Sequence, residues 1–388
     1  MCDACLCTCS KAPEVRGAHD NSDFARRAQL MLFSGLASMD GWNTGFEPWQ
    51  PDISAANAKM FAALARERSK LATFLFTAYN RQSTTGVPVV RSLVVDYDVD
   101  TAAFAMVDQF LLGDGLMVAP TPVNATSRNV TFPLGSGSWA DYWGKSPVSY
   151  AGGKTYTLAA ADTDVLVFQQ KGKAVPLVAP AAYFSNGKTS SNYNDNGDGD
   201  GNIGGDADTG GGDSTVLVLR VHADGQAAEA CVYDDDGITT KESTLGESFR
   251  MNVTTTYPQQ QHHTAHNQAV RSPSAASSRV MLHAVVDRAT WIPPWKKLQW
   301  EVVSSGWAAN DGAAGLSGSA VVVECGGVSV PETTETTTND EHVSDGILSV
   351  KKASVTGWYV RPRSNTVVVY APFNAGVGFM VNCSVSVH

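Results

Sequence analysis

No stretch of this 388-residue chain approaches the ~20 continuous apolar residues that a membrane-spanning helix needs, so a helical membrane span is excluded. Charge is thin as well. Only 17% of residues are Asp, Glu, Lys or Arg, the net charge is −10, and the basic residues form no clustered face. A nucleic-acid partner is therefore excluded, because phosphate binding needs such a face. The first residues, MCDACLCTCSKAPEVRGAHD, lack the apolar core of a secretory leader, so the chain as written shows no signal peptide. Cysteine is scarce beyond Cys9: four of the seven are Cys2, Cys5, Cys7 and Cys9, and the others are Cys231, Cys325 and Cys383. Thiolates are soft enough to hold zinc or copper, but a tetrahedral site within eight residues would be cramped. The expectation is a disordered start over 1–15, no metal and no cofactor, with the three distant cysteines acting as buried small hydrophobes.

The residues present can fill ordinary cores. Hydrophobic residues make up 43%, and the length suggests two or three domains. Four Asn-X-Ser/Thr sequons stand at Asn124, Asn129, Asn252 and Asn382, a weak pointer to the secretory pathway (ER, lysosome or extracellular) and candidates for glycosylation.

The pattern changes along the chain. From Asp52 to Asn80 the apolar positions Met60, Phe61, Leu64, Leu71, Phe74, Leu75 and Ala78 recur at helical spacing, with Asp52 as expected cap and Gly86-Val87-Pro88 as stop. PVVRSLVVDYDVD follows, an apolar run that predicts a strand buried on both faces of a parallel sheet. Beyond Phe104, short strands separated by Gly, Pro and Asn predict β-sandwiches. Two polar tracts interrupt them: 185–214, expected to be a disordered or long surface insertion, and 257–278, which reads as a linker.

Several segments occur in an order that resembles glycoside hydrolase family 31, the α-glucosidase and α-xylosidase group. FARRAQLMLFSGLASMDGWNTGFEPWQPD resembles the segment between the seventh and eighth strands of that family's barrel. TTGVPVVRSLVVDYDVD is similar to its last barrel strand. DQFLLGDGLMVAP, then SWADYWG and Gly152-Gly153, is the most specific match. DVLVFQQKGKAVPL resembles the edge of the proximal sandwich, and VYDDDG a turn of the distal one. The likeness covers roughly 16–182 and 215–255. It implies a mainly β chain, the C-terminal remnant of a (β/α)8 barrel followed by two antiparallel β-sandwich domains. The boundaries it implies are 16–103 for the αβ portion, 104–184 for the proximal sandwich and 215–388 for the distal one.

The resemblance also implies a retaining α-glycosidase. Such enzymes use two carboxyls about 5–5.5 Å apart, at the C-terminal ends of barrel strands. In the family both carboxylates precede the segment matched at Phe24 to Trp49, and no Asp-Met-Asn-Glu-like nucleophile motif occurs here. Asp20, in HDNS, is a poor match to the family acid and reads as a solvated loop carboxylate. The expectation is therefore no catalytic residue in this chain, and no activity unless a barrel is supplied to act on an α-linked glucoside or glycan. Where the family often has Arg-x-His, this chain has Ser38-Met39-Asp40. Asp40, Trp42 and Trp49 remain weak candidates for sugar contact, with packing the blander role. Arg91 is expected to pair with a carboxylate.

Other constellations read as structural. Asn196, Asp198, Asp200 and Gly201 imitate the start of an EF-hand loop, but position twelve is Ala207 and no helices flank it. His262, His263 and His266 lie in the Gln-rich linker, and Asp234 to Asp236 form an acidic turn. An alternative to the glycosidase reading is a non-catalytic β-sandwich glycan-binding or accessory protein derived from such an enzyme. A partial barrel leaves apolar faces and an open edge, so residues 1–100 are expected to be poorly ordered in isolation.

Overall fold

The computed structural model describes residues 21–37, 53–178, 216–222, 227–239, 245–257, 278–295, 297–303, 321–325, 328–329, 357–361, 366–373 and 379–387. The Cys2–Cys9 cluster, Asp20, the 185–214 insertion and the three linker histidines lie outside them.

Three helices come first: α1 (Asn21–Leu32), α2 (Ala55–Lys70) and α3 (Ala72–Thr85). The helical periodicity from Asp52 to Asn80 is real but broken once. Leu71, fully buried, closes α2 and opens α3, and the cap of α2 is Ser54, whose hydroxyl accepts from the Asn57 amide at 3.2 Å. Asp52 lies outside the described residues. Gly86 ends α3 in the left-handed conformation (φ +77°), its N–H returning to Gln82 O. Arg68 on α2 donates to the carbonyls of Leu32, Ser34 and Gly35, so a cation sits on the exposed C-terminal carbonyls of α1.

The run PVVRSLVVDYDVD does not form a parallel barrel strand. Only Val90–Arg91 forms a strand, β1, antiparallel to β2 (Phe110–Leu112), and Leu93–Val95 turns into a 3-10 helix. The cause is Arg91 within the run. Its buried guanidinium holds both carboxylate oxygens of Asp96, five residues on, and donates to Gly113 O at 2.7 Å. The chain therefore folds back on itself instead of extending.

The first sheet has the order β1-β2-β3-β8-β5-β6, built with β3 (Leu116–Ala119), β5 (Ser138–Asp141), β6 (Ser149–Ala151) and β8 (Leu166–Gln170). Its neighbours are all antiparallel. A two-stranded ribbon, β4 (Ser127–Thr131) and β7 (Thr155–Ala159), covers one face over an aromatic core of Phe132, Trp139, Tyr150 and Phe168. The other face presents Phe110, Leu112, Leu116, Val118 and Val167 to the helices. Both faces being covered, β2 and β3 are apolar at every position rather than at alternate ones.

The second unit packs two sheets face to face. One has the order β17-β18-β14-β10-β9 and the other β11-β12-β13-β19-β15-β16. The first joins β9 (Val175–Val178), β10 (Val216–His222), β14 (Lys297–Val303), β17 (Gly357–Arg361) and β18 (Thr366–Pro372). The second joins β11 (Glu229–Asp234), β12 (Phe249–Thr256), β13 (Ser278–Ala289), β15 (Val321–Cys325), β16 (Val328–Ser329) and β19 (Met380–Val387). Between them lie Leu217, Phe249, Leu282, Trp300, Val369 and Val385, all buried. The fold is mainly β, as the sequence implies. Two details depart from it. β10 and β14 run parallel, Val216 opposite Lys297, and β9, within 104–184, pairs with β10 in the second unit.

Cys325 and Cys383 are a correction to the reading of the distant cysteines as buried small hydrophobes. They face one another across β15 and β19 and form a disulfide. Only Cys231, which is exposed, is a free cysteine among the described residues.

The helices are not loose. Leu64, Leu71, Phe74 and Leu75 share one core with Leu112 and Val118 of the first sheet and with Val175, Leu177, Val216 and Val218 of the second unit. The described part of the first hundred residues fills the corner between two sheets. Covering those faces buries apolar surface that would otherwise meet water.

Candidate functional site

That corner is not wholly filled. Along α2, where β5 ends and β10 and β14 pass beneath, runs a groove of about 680 Å³, within the range of ligand clefts. Its floor is a polar row on sheets that are otherwise apolar. Arg220 on β10 donates through Nε to Glu301 Oε2 on β14 at 3.0 Å and places its guanidinium 5.0 Å over the Tyr142 ring. The Tyr142 hydroxyl donates to Glu67 Oε1 on α2, and Lys70 Nζ lies 2.9 Å from Glu67 Oε2. Four elements thus meet through one chain of charge-assisted contacts.

Burial decides the electrostatics. Desolvation works against the Arg220 charge, but Glu301, Tyr142 and Glu67 outweigh it, so the guanidinium is held charged more firmly than an ordinary arginine. Burial, then the Glu67 carboxylate, pushes the Tyr142 phenol well above its usual range, so it stays a donor. At the rim, burial raises the Asp141 carboxyl, opposed by amide bonds from Lys145, Ser146 and Trp143. Lys145 pairs with Asp164 at 2.7 Å, and Trp143 donates to Val165 O while packing edge-on to Phe33. The groove can recognise hydroxyls and hold an aromatic edge beside them. Its two buried carboxylates are each held by a cation, and Glu67 by a phenol too.

None of the described residues that sequence weighed for a functional role lines this groove. Asp40, Trp42 and Trp49 lie outside the described residues. Arg91 pairs with a carboxylate, Asp96, as expected, and is structural. The acidic turn is structural too. Asp235 accepts from Gly237 N and the Tyr233 hydroxyl, and Asp236 accepts from Ile238 N and Thr239 N. Asp234, 4% exposed, has its carboxyl pushed up to about 7, by burial foremost and then by Asp235, against the Asp235 amide bond. Asn124, Asn129, Asn252 and Asn382 are all exposed. Among the described residues no group of three or more His, Cys, Asp or Glu is placed to hold a metal.

Sequence missed the network because its partners are distant, 75 residues between Glu67 and Tyr142 and 81 between Arg220 and Glu301. A signal existed. Glu67 and Lys70 interrupt the apolar stripe of α2, and Arg220 and Glu301 sit inside the apolar runs VLVLRVH and LQWEVV.

The segment around the groove also carries the family signal. Residues 86–175 match the model of the glycosyl hydrolase family 31 C-terminal domain. To that extent the chain is similar to a family 31 C-terminal domain. Over 166 residues, 42% of the chain and 15% of the relative, it is 26% identical to an isomaltosyltransferase of Sporosarcina globispora. Over 240 residues, 61% of the chain and 26% of the relative, it is 26% identical to α-glucosidase 2 of Bacillus thermoamyloliquefaciens. The matches thus span about a quarter or less of these relatives. A family 31 dextranase of Flavobacterium johnsoniae, solved with isomaltotriose, superposes with a TM-score of 0.66 at 16% identity, covering 95% of this chain and 38% of that one. At that identity the likeness is one of fold. It reaches past residue 255, where the sequence resemblance fades.

The family segment has a physical cause. Gly113 has φ +55° and lies against the Phe74 ring, leaving no room for a side chain. At Gly152 a Cβ would lie 2.7 Å from Pro133 O, beside Ser136, whose hydroxyl accepts from Trp139 Nε1 at 2.7 Å. Glycines at LLGDGL and AGG, and tryptophan in SWADYWG, are what this packing demands.

Proposed function

We propose that this chain forms the C-terminal body of a family 31 α-glycosidase and is silent by itself, its catalytic carboxylates being supplied by barrel polypeptide outside these 388 residues. The observation that carries this reading is how the buried carboxylates are used. Among the described residues, Glu67 and Glu301 bind cations, Asp100 accepts from the amides of Ala102 and Leu134, and Asp234 accepts the Asp235 amide at a turn. Each buried carboxylate is thus taken up by the fold itself rather than set opposite a second carboxyl as a retaining glycosidase requires. The body would then support the barrel's end and act on an α-linked glucoside or glycan only with the barrel present. The purified chain is expected to give no turnover of an aryl α-glucoside above buffer. Hydrolysis that co-purifies with the chain and is lost in Asp20→Asn would overturn this.

The groove favours a second reading, a glycan-binding accessory protein without catalysis. Its volume and the mixture of Trp143, Tyr142, Lys59 and His222 suit an oligosaccharide better than an apolar ligand. Titration calorimetry with isomaltotriose separates the two. Heat that saturates and is lost in Trp143→Ala supports the accessory reading, and its absence leaves the first standing.

A further inference from the structure

Strand β19 has two chemically different faces. Val381, Cys383 and Val385 point into the second core, whereas Asn382 between them is exposed. Cys383 lies opposite Cys325 and is bonded to it. Asn382 lies opposite His283 of β13, and Asn252 of β12 lies opposite Val285, two residues further along the same strand. Residues two apart on a strand share a face, so both asparagines project from the outer side of this sheet. Each opens a sequon, Asn252-Val253-Thr254 and Asn382-Cys383-Ser384.

We propose that the second sandwich matures in an oxidising, glycosylating secretory compartment, where Cys325–Cys383 closes on its inner face and Asn252 and Asn382 receive N-linked glycans on its outer face. Two independent observations agree. Structural disulfides persist where thiols are not kept reduced, and a bulky N-linked glycan can be carried through folding only by an asparagine that faces solvent in the finished sheet. The chemistry balances. One thiolate displaces a thiol from a mixed disulfide with a disulfide-bearing oxidant, so two protons and two electrons leave the cysteines and the oxidant departs as a dithiol. Each asparagine Nδ2 bonds to the anomeric carbon of a lipid-pyrophosphate-linked oligosaccharide, the lipid pyrophosphate leaves, and the amide gives up one proton.

The geometry also sets an order. In the folded sheet β19 is paired on both sides, with β13 and β15, and Ser384 is buried. A transferase cannot bend that sequon, so Asn382 must be modified before Cys383 is locked to Cys325. Asn252 is under no such limit from the disulfide.

The test uses the full chain isolated from its native source. Enzymatic deglycosylation in heavy-oxygen water converts each glycan-bearing asparagine to a labelled aspartate, and peptide mass mapping without reduction reports the disulfide. The expected result is label at Asn252 and Asn382, and a linked Cys325–Cys383 peptide. In a secretory host, Cys325→Ser is expected to raise Asn382 occupancy relative to Asn252. Unlabelled asparagines, or Cys325 and Cys383 alkylated without prior reduction, would overturn the proposal.

Discussion

The two sandwiches are stabilised by different means. In the first, individual residues are irreplaceable: Trp139 fills the aromatic core and finds a hydroxyl for its N–H, Arg91 folds β1 back, and Gly113 and Gly152 admit neighbours no Cβ would allow. In the second, a Val-rich core between two large sheets can be met by many apolar sequences, and a disulfide ties β15 to β19. Family signal follows the first kind of constraint. Generic packing tolerates exchange of one apolar residue for another, whereas a left-handed glycine or a hydrogen-bonded indole does not. The family match covers residues 86–175, most of which lie in the first sandwich, while the fold likeness covers 95% of the chain.

The largest expected effect tests this contrast. Trp139→Ala should cost about 3–5 kcal/mol, as truncation of a fully buried aromatic does. Denaturant unfolding followed by hydrogen exchange in each sandwich measures it, and loss concentrated in the second unit would break the comparison. Next, reducing Cys325–Cys383, which closes a loop across 58 residues, should cost about 2–4 kcal/mol. The loss should appear in the amides of β15 and β19 and leave the first sandwich unchanged.

Asp234 gives a smaller, pH-dependent effect. Its folded carboxyl titrates at about 7, above the ordinary value near 4, so between those limits the folded state holds a proton that the unfolded state has released. Its contribution is most favourable below the ordinary value and is lost as pH rises through 7. Asp234→Asn should therefore match the parent near pH 4 and exceed it at pH 8 by roughly 1–3 kcal/mol, read from paired urea titrations. A constant difference at both pH values would contradict the assignment. Smallest is Ser54→Ala, which removes the α2 cap and should cost about 1 kcal/mol. Its effect should be felt at the start of α2 and not in either sandwich.

Much of this was legible in sequence, for reasons that differ by element. The helical period of α2 and α3, the stop at Gly86 and the mainly β character beyond Phe104 follow from local patterning. The failure at PVVRSLVVDYDVD is instructive. An apolar run says that a segment is buried but not how it is paired, and a single arginine with a carboxylate five residues on changed its shape. The disulfide was illegible because Cys325 and Cys383 meet only through the register of β15 on β19. The groove was illegible for the same reason, since Glu67, Tyr142, Arg220 and Glu301 become neighbours only when helix and both sheets are assembled.

The central claim is that helices and sandwiches form one body joined through the corner that Tyr142 and Arg220 occupy. Native-state hydrogen exchange on the isolated chain tests it most directly. The amides of α2 and α3 are predicted to be protected as deeply as those of β10 and β14, and to lose that protection together in Arg220→Met. Helical amides that exchange as fast as an unstructured chain while β10 and β14 stay protected would contradict it.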